Sequence, residues 1–111
     1  MRDKYKDICI EQGWEIVGSP YVSLSTTLKS GHEFCFILKD NETFSQRLVD
    51  SYVAFDVDQY IFGQIEQYRR DGKPFPSFKE LLKDAEEIQD KMQKLMAAIL
   101  AVDAFKKEGK I

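Results

Sequence analysis

The chain has 111 residues, enough for one ordinary domain, and we expect residues 1–111 to form a single domain. Apolar residues make up 43% of it and charged residues 32%, values that exclude an intrinsically disordered chain. Sixteen basic against nineteen acidic side chains give a formal charge of −3, which argues against a protein whose main task is to neutralise nucleic-acid phosphates.

The first part of the chain predicts a short helix followed by three strands. Asp3 to Gln12 has the spacing of an amphipathic helix, and Trp14 to Val17 is typical of a short strand. Tyr21 to Lys29 and Glu33 to Lys39 each alternate apolar with polar residues, on either side of turn residues. These two segments therefore predict an antiparallel hairpin with one apolar face, which helices must cover.

The rest of the chain predicts three helices. Asp40-Asn41 is expected to cap a helix that runs to about Ala54, and Asp56 a second helix that ends near Gly72. Ser77, followed by Glu80 three positions later, marks the start of a C-terminal helix of about thirty residues. Its predicted apolar stripe consists of Phe78, Leu81, Ala85, Ile88, Met92, Leu95, Ile99 and Val102, widened by Leu82 and Met96.

Together these elements predict an α+β fold, in which a small antiparallel sheet of about three strands packs against helices that include a long C-terminal amphipathic one. The segment from Leu95 to Val102 is apolar on all sides, so a second face of that helix needs cover, either from the core of the same chain or from a second chain. We expect Leu100, on that face, to contact another chain.

No catalytic signature accompanies this fold. His32 is the only histidine, and its place in the hairpin turn favours a solvated or turn-stabilising imidazole over a general base. Asp56 and Asp58 resemble the start of a calcium loop, but Tyr60 and Ile61 stand where a ligand and a glycine are required. We therefore expect no enzymatic activity, no cofactor and no metal. Cys9 and Cys35 lie in apolar-rich segments and are predicted to be buried free thiols.

Acidic residues are the candidate binding residues. Asp56 and Asp58 belong to a segment, residues 41–72, with six acidic and three basic side chains. Asp84 and Glu87 belong to a second acidic group on the long helix. A solvated face is the simplest interpretation of both groups. The alternative is a surface that faces a cation-rich groove, where carboxylates take the place of phosphates.

The stretch Tyr21-Val22-Ser23-Leu24-Ser25-Thr26-Thr27-Leu28-Lys29-Ser30-Gly31-His32-Glu33-Phe34, followed by Phe55-Asp56-Val57-Asp58, resembles small acidic proteins encoded on phages and conjugative elements of Firmicutes. The similarity covers about residues 14 to 100. Several proteins of that setting are anti-CRISPR inhibitors. The resemblance implies a small stoichiometric protein that binds a component of the host or of the mobile element, and it carries no catalytic residues across.

We accordingly expect an anti-CRISPR-like inhibitor that binds a Cas9-type effector and blocks its assembly with, or access to, nucleic acid. The expected partner is a protein, without direct nucleic-acid or membrane binding, and Asp56, Asp58, Asp84, Glu87 and Leu100 are the candidate contacts. The charged amino terminus lacks the apolar stretch of a signal peptide, so the expected location is the cytoplasm of the bacterial host. The alternative is a non-enzymatic, homodimeric accessory protein of a phage or conjugative element.

Overall fold

A computed structural model describes residues 3–18, 22–38 and 44–107 of the protein. These residues form four helices and one three-stranded antiparallel sheet, so the expected α+β fold is confirmed. The cap expected at Asp40-Asn41 lies outside the described residues. The elements are α1 (Asp3–Glu11), β1 (Glu15–Val17), β2 (Val22–Thr27), β3 (Glu33–Leu38), α2 (Phe44–Ala54), α3 (Val57–Arg70) and α4 (Phe78–Lys107).

The predicted helix starts are confirmed at α3 and α4. The Asp56 carboxylate accepts a hydrogen bond from the backbone N–H of Gln59 at 3.0 Å, and the Ser77 hydroxyl oxygen accepts one from Glu80 N–H at 3.1 Å. Each contact satisfies an N–H group of a first turn that has no partner within the helix. At the other end of α3, Gly72 has φ +69°, a left-handed conformation that glycine adopts without a steric penalty.

The sheet has the strand order β1-β2-β3, with Leu24 paired with Ile16 on one side and Phe36 on the other. Its inner face follows the predicted alternation, since Leu24 is buried and Phe36 is half-buried. Cys35 corrects our expectation, because it is exposed while Cys9 is buried. Neighbouring residues of a strand point to opposite faces, so the inward position of Phe36 turns Cys35 outward.

The core lies between the inner face of the sheet and α4. Most of the predicted stripe is fully buried, namely Leu81, Ala85, Ile88, Met92, Leu95 and Ile99. The prediction that Phe78 belongs to the buried stripe was wrong, because 62% of its surface is exposed. Leu82 is exposed as well. The stripe therefore becomes core only from Leu81 onward.

Near its C-terminal end, α4 makes polar contacts with α1 and α2. The Asp103 carboxylate accepts hydrogen bonds from the Tyr5 hydroxyl of α1 and the Ser45 hydroxyl of α2. The ring of Tyr5 also stacks on Phe44, with the ring centroids 5.0 Å apart. Helix α4 is thus held to the rest of the fold by directional bonds as well as by its apolar stripe.

Candidate functional site

Three side chains form a hydrogen-bonded relay at the tip of the β2–β3 hairpin. The Nδ1 atom of His32 lies 2.7 Å from Oδ2 of Asp84 on α4, and its Nε2 atom lies 2.7 Å from the hydroxyl oxygen of Tyr68 on α3. Asp84 is 2% exposed, whereas the imidazole is about one-third exposed. We call this set, Asp84, His32 and Tyr68, the hairpin relay.

The chemistry of the carboxylate fixes the tautomer of His32. An ionised carboxylate only accepts hydrogen bonds, so Nδ1–H donates to Asp84 and Nε2 is left to accept from the Tyr68 hydroxyl. The Ser30 oxygen also lies 3.2 Å from Nδ1 and accepts a hydrogen bond from the backbone N–H of His32 at 3.4 Å. Both ring nitrogens are therefore occupied, and the imidazole joins the turn to two helices.

Two further residues of α4 bind the same hairpin. Glu87 accepts hydrogen bonds from the backbone N–H of Lys29 at 3.0 and 3.3 Å. The Lys91 ammonium donates to the buried Thr26 hydroxyl at 2.7 Å. Asp84, Glu87 and Lys91 are three and four residues apart, so they share one face of α4 and hold the hairpin along its length.

Tyr60 is a second phenol beside the relay. Burial, and then the negative charge of Asp84 and the neighbouring Tyr68, raise the pKa of Tyr60 to about 12. Burial disfavours the charged phenolate, and a nearby carboxylate repels it. Tyr60 therefore stays protonated at neutral pH, and its ring packs against Phe34 with the centroids 6.4 Å apart.

The hairpin relay connects the phenol of Tyr68 through the imidazole of His32 to the buried carboxylate of Asp84. Acid–base relays have the same order of groups. Such a relay can hold a proton at a fixed atom, and here it also fastens the turn to the helices. No group of three His, Cys, Asp or Glu side chains in residues 3–18, 22–38 and 44–107 has the arrangement of a metal site.

The structure places the predicted site residues in three separate locations. Asp84 and Glu87 both form hydrogen bonds with the hairpin tip. The expectation that Asp84 belongs to a solvated acidic face was wrong, because its carboxylate is buried against His32. Asp56 and Asp58 are exposed at the start of α3, where Asp56 also serves as the helix cap. Leu100 is 40% exposed on α4.

The exposed carboxylates of α3 have a large apolar neighbour. Phe62 is 68% exposed and follows Asp58 by four residues, so the two side chains are adjacent on the outer face of α3. We call Asp56, Asp58 and Phe62 the α3 surface.

Sequence reasoning missed the hairpin relay, although one signal was present. Asp84 lies three residues after Leu81 and four before Ile88, within the stripe that was predicted to be buried. A carboxylate on a buried face needs a polar partner, because an unpaired buried charge is costly. That argument predicts a partner for Asp84 without naming it.

Comparison of the chain with protein-family models, with curated proteins and with solved structures found no match. Within the described residues, none of the helices combines the length and the apolar character that are needed to cross a bilayer.

Proposed function

We propose that the protein is a stoichiometric binding inhibitor encoded by a mobile genetic element, that its target is a Cas9-type CRISPR effector, and that the α3 surface contacts this target. The observation that carries the proposal is Phe62, a residue that is 68% exposed beside Asp58. A large aromatic residue within a polar rim has the composition of a binding hot spot.

The charge of the α3 surface supports the choice of target. Cas9-type effectors hold the guide and the target nucleic acid in positively charged channels, which carboxylates can occupy in place of phosphates. Asp56 and Asp58 are both exposed. The resemblance to mobile-element proteins supports the same class of target. Asp84 and Glu87 contribute indirectly, because they fasten the hairpin to α4.

A cleavage assay with a panel of Cas9 orthologues tests the proposal, with the protein added before or after the guide RNA. We expect inhibition to saturate at a fixed molar ratio. It should weaken as salt rises, because exposed charges are screened. No inhibition of any orthologue in excess inhibitor, together with no complex on size exclusion, would refute the Cas9 target.

A matched pair of variants tests the surface. Phe62→Ser should weaken inhibition, whereas Phe78→Ser, which changes a similarly exposed phenylalanine on α4, should not. Asp58→Asn should lower the association rate more than it raises the dissociation rate. If Phe62→Ser and Phe78→Ser inhibit like the parent, the α3 surface is not the contact.

Leu100 favours the second candidate function, a homodimeric accessory protein of a phage or conjugative element. This side chain is 40% exposed, and the neighbouring Ala97 and Ala101 are exposed too. Self-association through this face would bury it. Leu100→Glu would then convert a dimer into a monomer, as measured by light scattering.

A further inference from the structure

The third strand, β3, forms one edge of the sheet. The opposite edge strand, β1, has three residues, whereas β3 has six. Natural sheets protect long edges with proline, lysine or a bulge, because unpaired peptide groups invite another strand. The sequence of β3, Glu33-Phe34-Cys35-Phe36-Ile37-Leu38, contains neither proline nor lysine.

The hairpin turn determines which peptide groups of β3 face this edge. Leu28 N–H donates to His32 C=O at 2.8 Å, so these two residues form a hydrogen-bonded pair. Such pairs alternate along an antiparallel ladder, and Phe34 and Phe36 are therefore the next residues of β3 to bond to β2. The N–H and C=O groups of Cys35 and Ile37 point away from β2.

The outward peptide groups belong to Glu33, Cys35 and Ile37. In the described part of the chain, no backbone or side-chain group outside β2 forms a hydrogen bond with β3 along this edge. The side chains of these same residues are exposed on the outer face, with Ile37 at 60%. On the inner face, Phe34 and Phe36 are only half-buried. An added strand would therefore gain hydrogen bonds and cover aromatic surface.

We propose that β3 pairs with β3 of a second copy of this chain, antiparallel about a two-fold axis at Cys35, to form a continuous six-stranded sheet. The proposal is independent of the inhibitor function and concerns a different surface from Leu100.

The sequence of β3 is self-complementary in this register. The segment Phe34-Cys35-Phe36 reads the same in both directions, so Phe34 of each copy lies opposite Phe36 of the other on the inner face. Aromatic pairs across strands stabilise a sheet. Glu33 lies opposite Ile37, which keeps the two Glu33 carboxylates apart. In this register the hydrogen-bonded pairs are Cys35 with Cys35 and Glu33 with Ile37, and the peptide groups of all three residues face outward.

Light scattering after size exclusion tests the dimer, with reductant present and the chain at high micromolar concentration. We expect about twice the chain mass of 12.9 kDa. Ile37→Pro removes one outward N–H per copy without touching the bonds to β2, and an edge strand tolerates proline there. It should raise the dimer dissociation constant about tenfold or more, since two hydrogen bonds are lost per dimer.

Three variants serve as controls. Ile37→Ala keeps the N–H and separates the backbone effect from loss of the side chain, so it should weaken the dimer less than Ile37→Pro. Cys35→Lys places two like charges opposite each other and should also give monomers, which covers the case of a proline variant that does not fold. Ser25→Lys puts the same charge one strand away and should leave the dimer intact.

Disulfide cross-linking locates the axis. Opposed residues of a hydrogen-bonded pair have Cα atoms about 5.5 Å apart, a distance that a disulfide spans. Diamide, which accepts two electrons and two protons from a pair of thiols, should link Cys35 to Cys35, whereas the buried Cys9 should stay reduced.

Two results would overturn the proposal. One is a parent chain that remains monomeric at the highest concentration. The other is a dimer that survives Ile37→Pro and Cys35→Lys but is lost in Leu100→Glu, which would assign self-association to α4.

Discussion

Removal of His32 should destabilise the protein through Asp84 rather than through the imidazole itself. In His32→Ala the carboxylate of Asp84, 2% exposed, loses its 2.7 Å partner. A buried carboxylate that loses its hydrogen-bond partner is destabilised by about 3 kcal/mol when nothing replaces that partner. The imidazole of His32 is 34% exposed, so water reaches the gap and we expect a loss of about 2–3 kcal/mol.

A double-mutant cycle separates the charge from the packing. Asp84→Leu removes the buried carboxylate, so adding it to His32→Ala should restore about 1–2 kcal/mol relative to His32→Ala alone. Tyr68→Phe deletes only the hydroxyl and should cost about 1 kcal/mol.

Urea unfolding followed by circular dichroism measures each free energy, and an unchanged slope with denaturant shows that the denatured state is comparable. A loss below about 0.5 kcal/mol for His32→Ala, within the range of ordinary surface changes, would refute the reasoning. Strict additivity of His32→Ala and Asp84→Leu would do so too, because it would mean that the two groups do not interact.

The remaining predictions concern the core, a helix cap and the thiols. Met92→Asp places an unpaired carboxylate on the buried face of α4 and should unfold the protein or cost several kcal/mol, whereas Ser77→Ala should cost about 1 kcal/mol; thermal melts distinguish the two. Burial raises the pKa of Cys9 from 9.0 to about 11, so as pH rises the thiol ionises first in the unfolded chain. The free energy of unfolding should therefore fall by up to about 2–3 kcal/mol between pH 9 and pH 11. Cys9→Ala should remove this part of the alkaline loss, and Cys35→Ala, at an exposed position, should not. A thiol reagent should modify Cys35 in the folded protein and reach Cys9 only after unfolding.

The secondary structure was predictable because its signals are local. The caps at Asp56 and Ser77 act on N–H groups three residues away, and the alternation along β2 and β3 is a property of each strand. The position of Cys35 could have been predicted from the same alternation, since Phe34 and Phe36 occupy the inner face.

The hairpin relay could not be predicted, because its members are far apart in the sequence. His32 is 36 residues from Tyr68 and 52 from Asp84, and no local pattern joins a turn to two later helices. The exposure of Phe78 was not predictable for the same reason. A helical stripe predicts which side of a helix is apolar, whereas the neighbouring elements determine how far along the helix that side is covered.

The contacts between α4 and the hairpin have a consequence for folding kinetics. The β2–β3 turn and the first turns of α3 and α4 form from near neighbours, whereas the bonds of Asp84, Glu87 and Lys91 close loops of 52 to 65 residues. Closing long loops costs chain entropy, so we expect these bonds to form late in folding. Weakening them should therefore accelerate unfolding and leave the refolding rate nearly unchanged in stopped-flow measurements. The lifetime of the folded state, rather than the speed at which it forms, then depends on three polar side chains of one helix face.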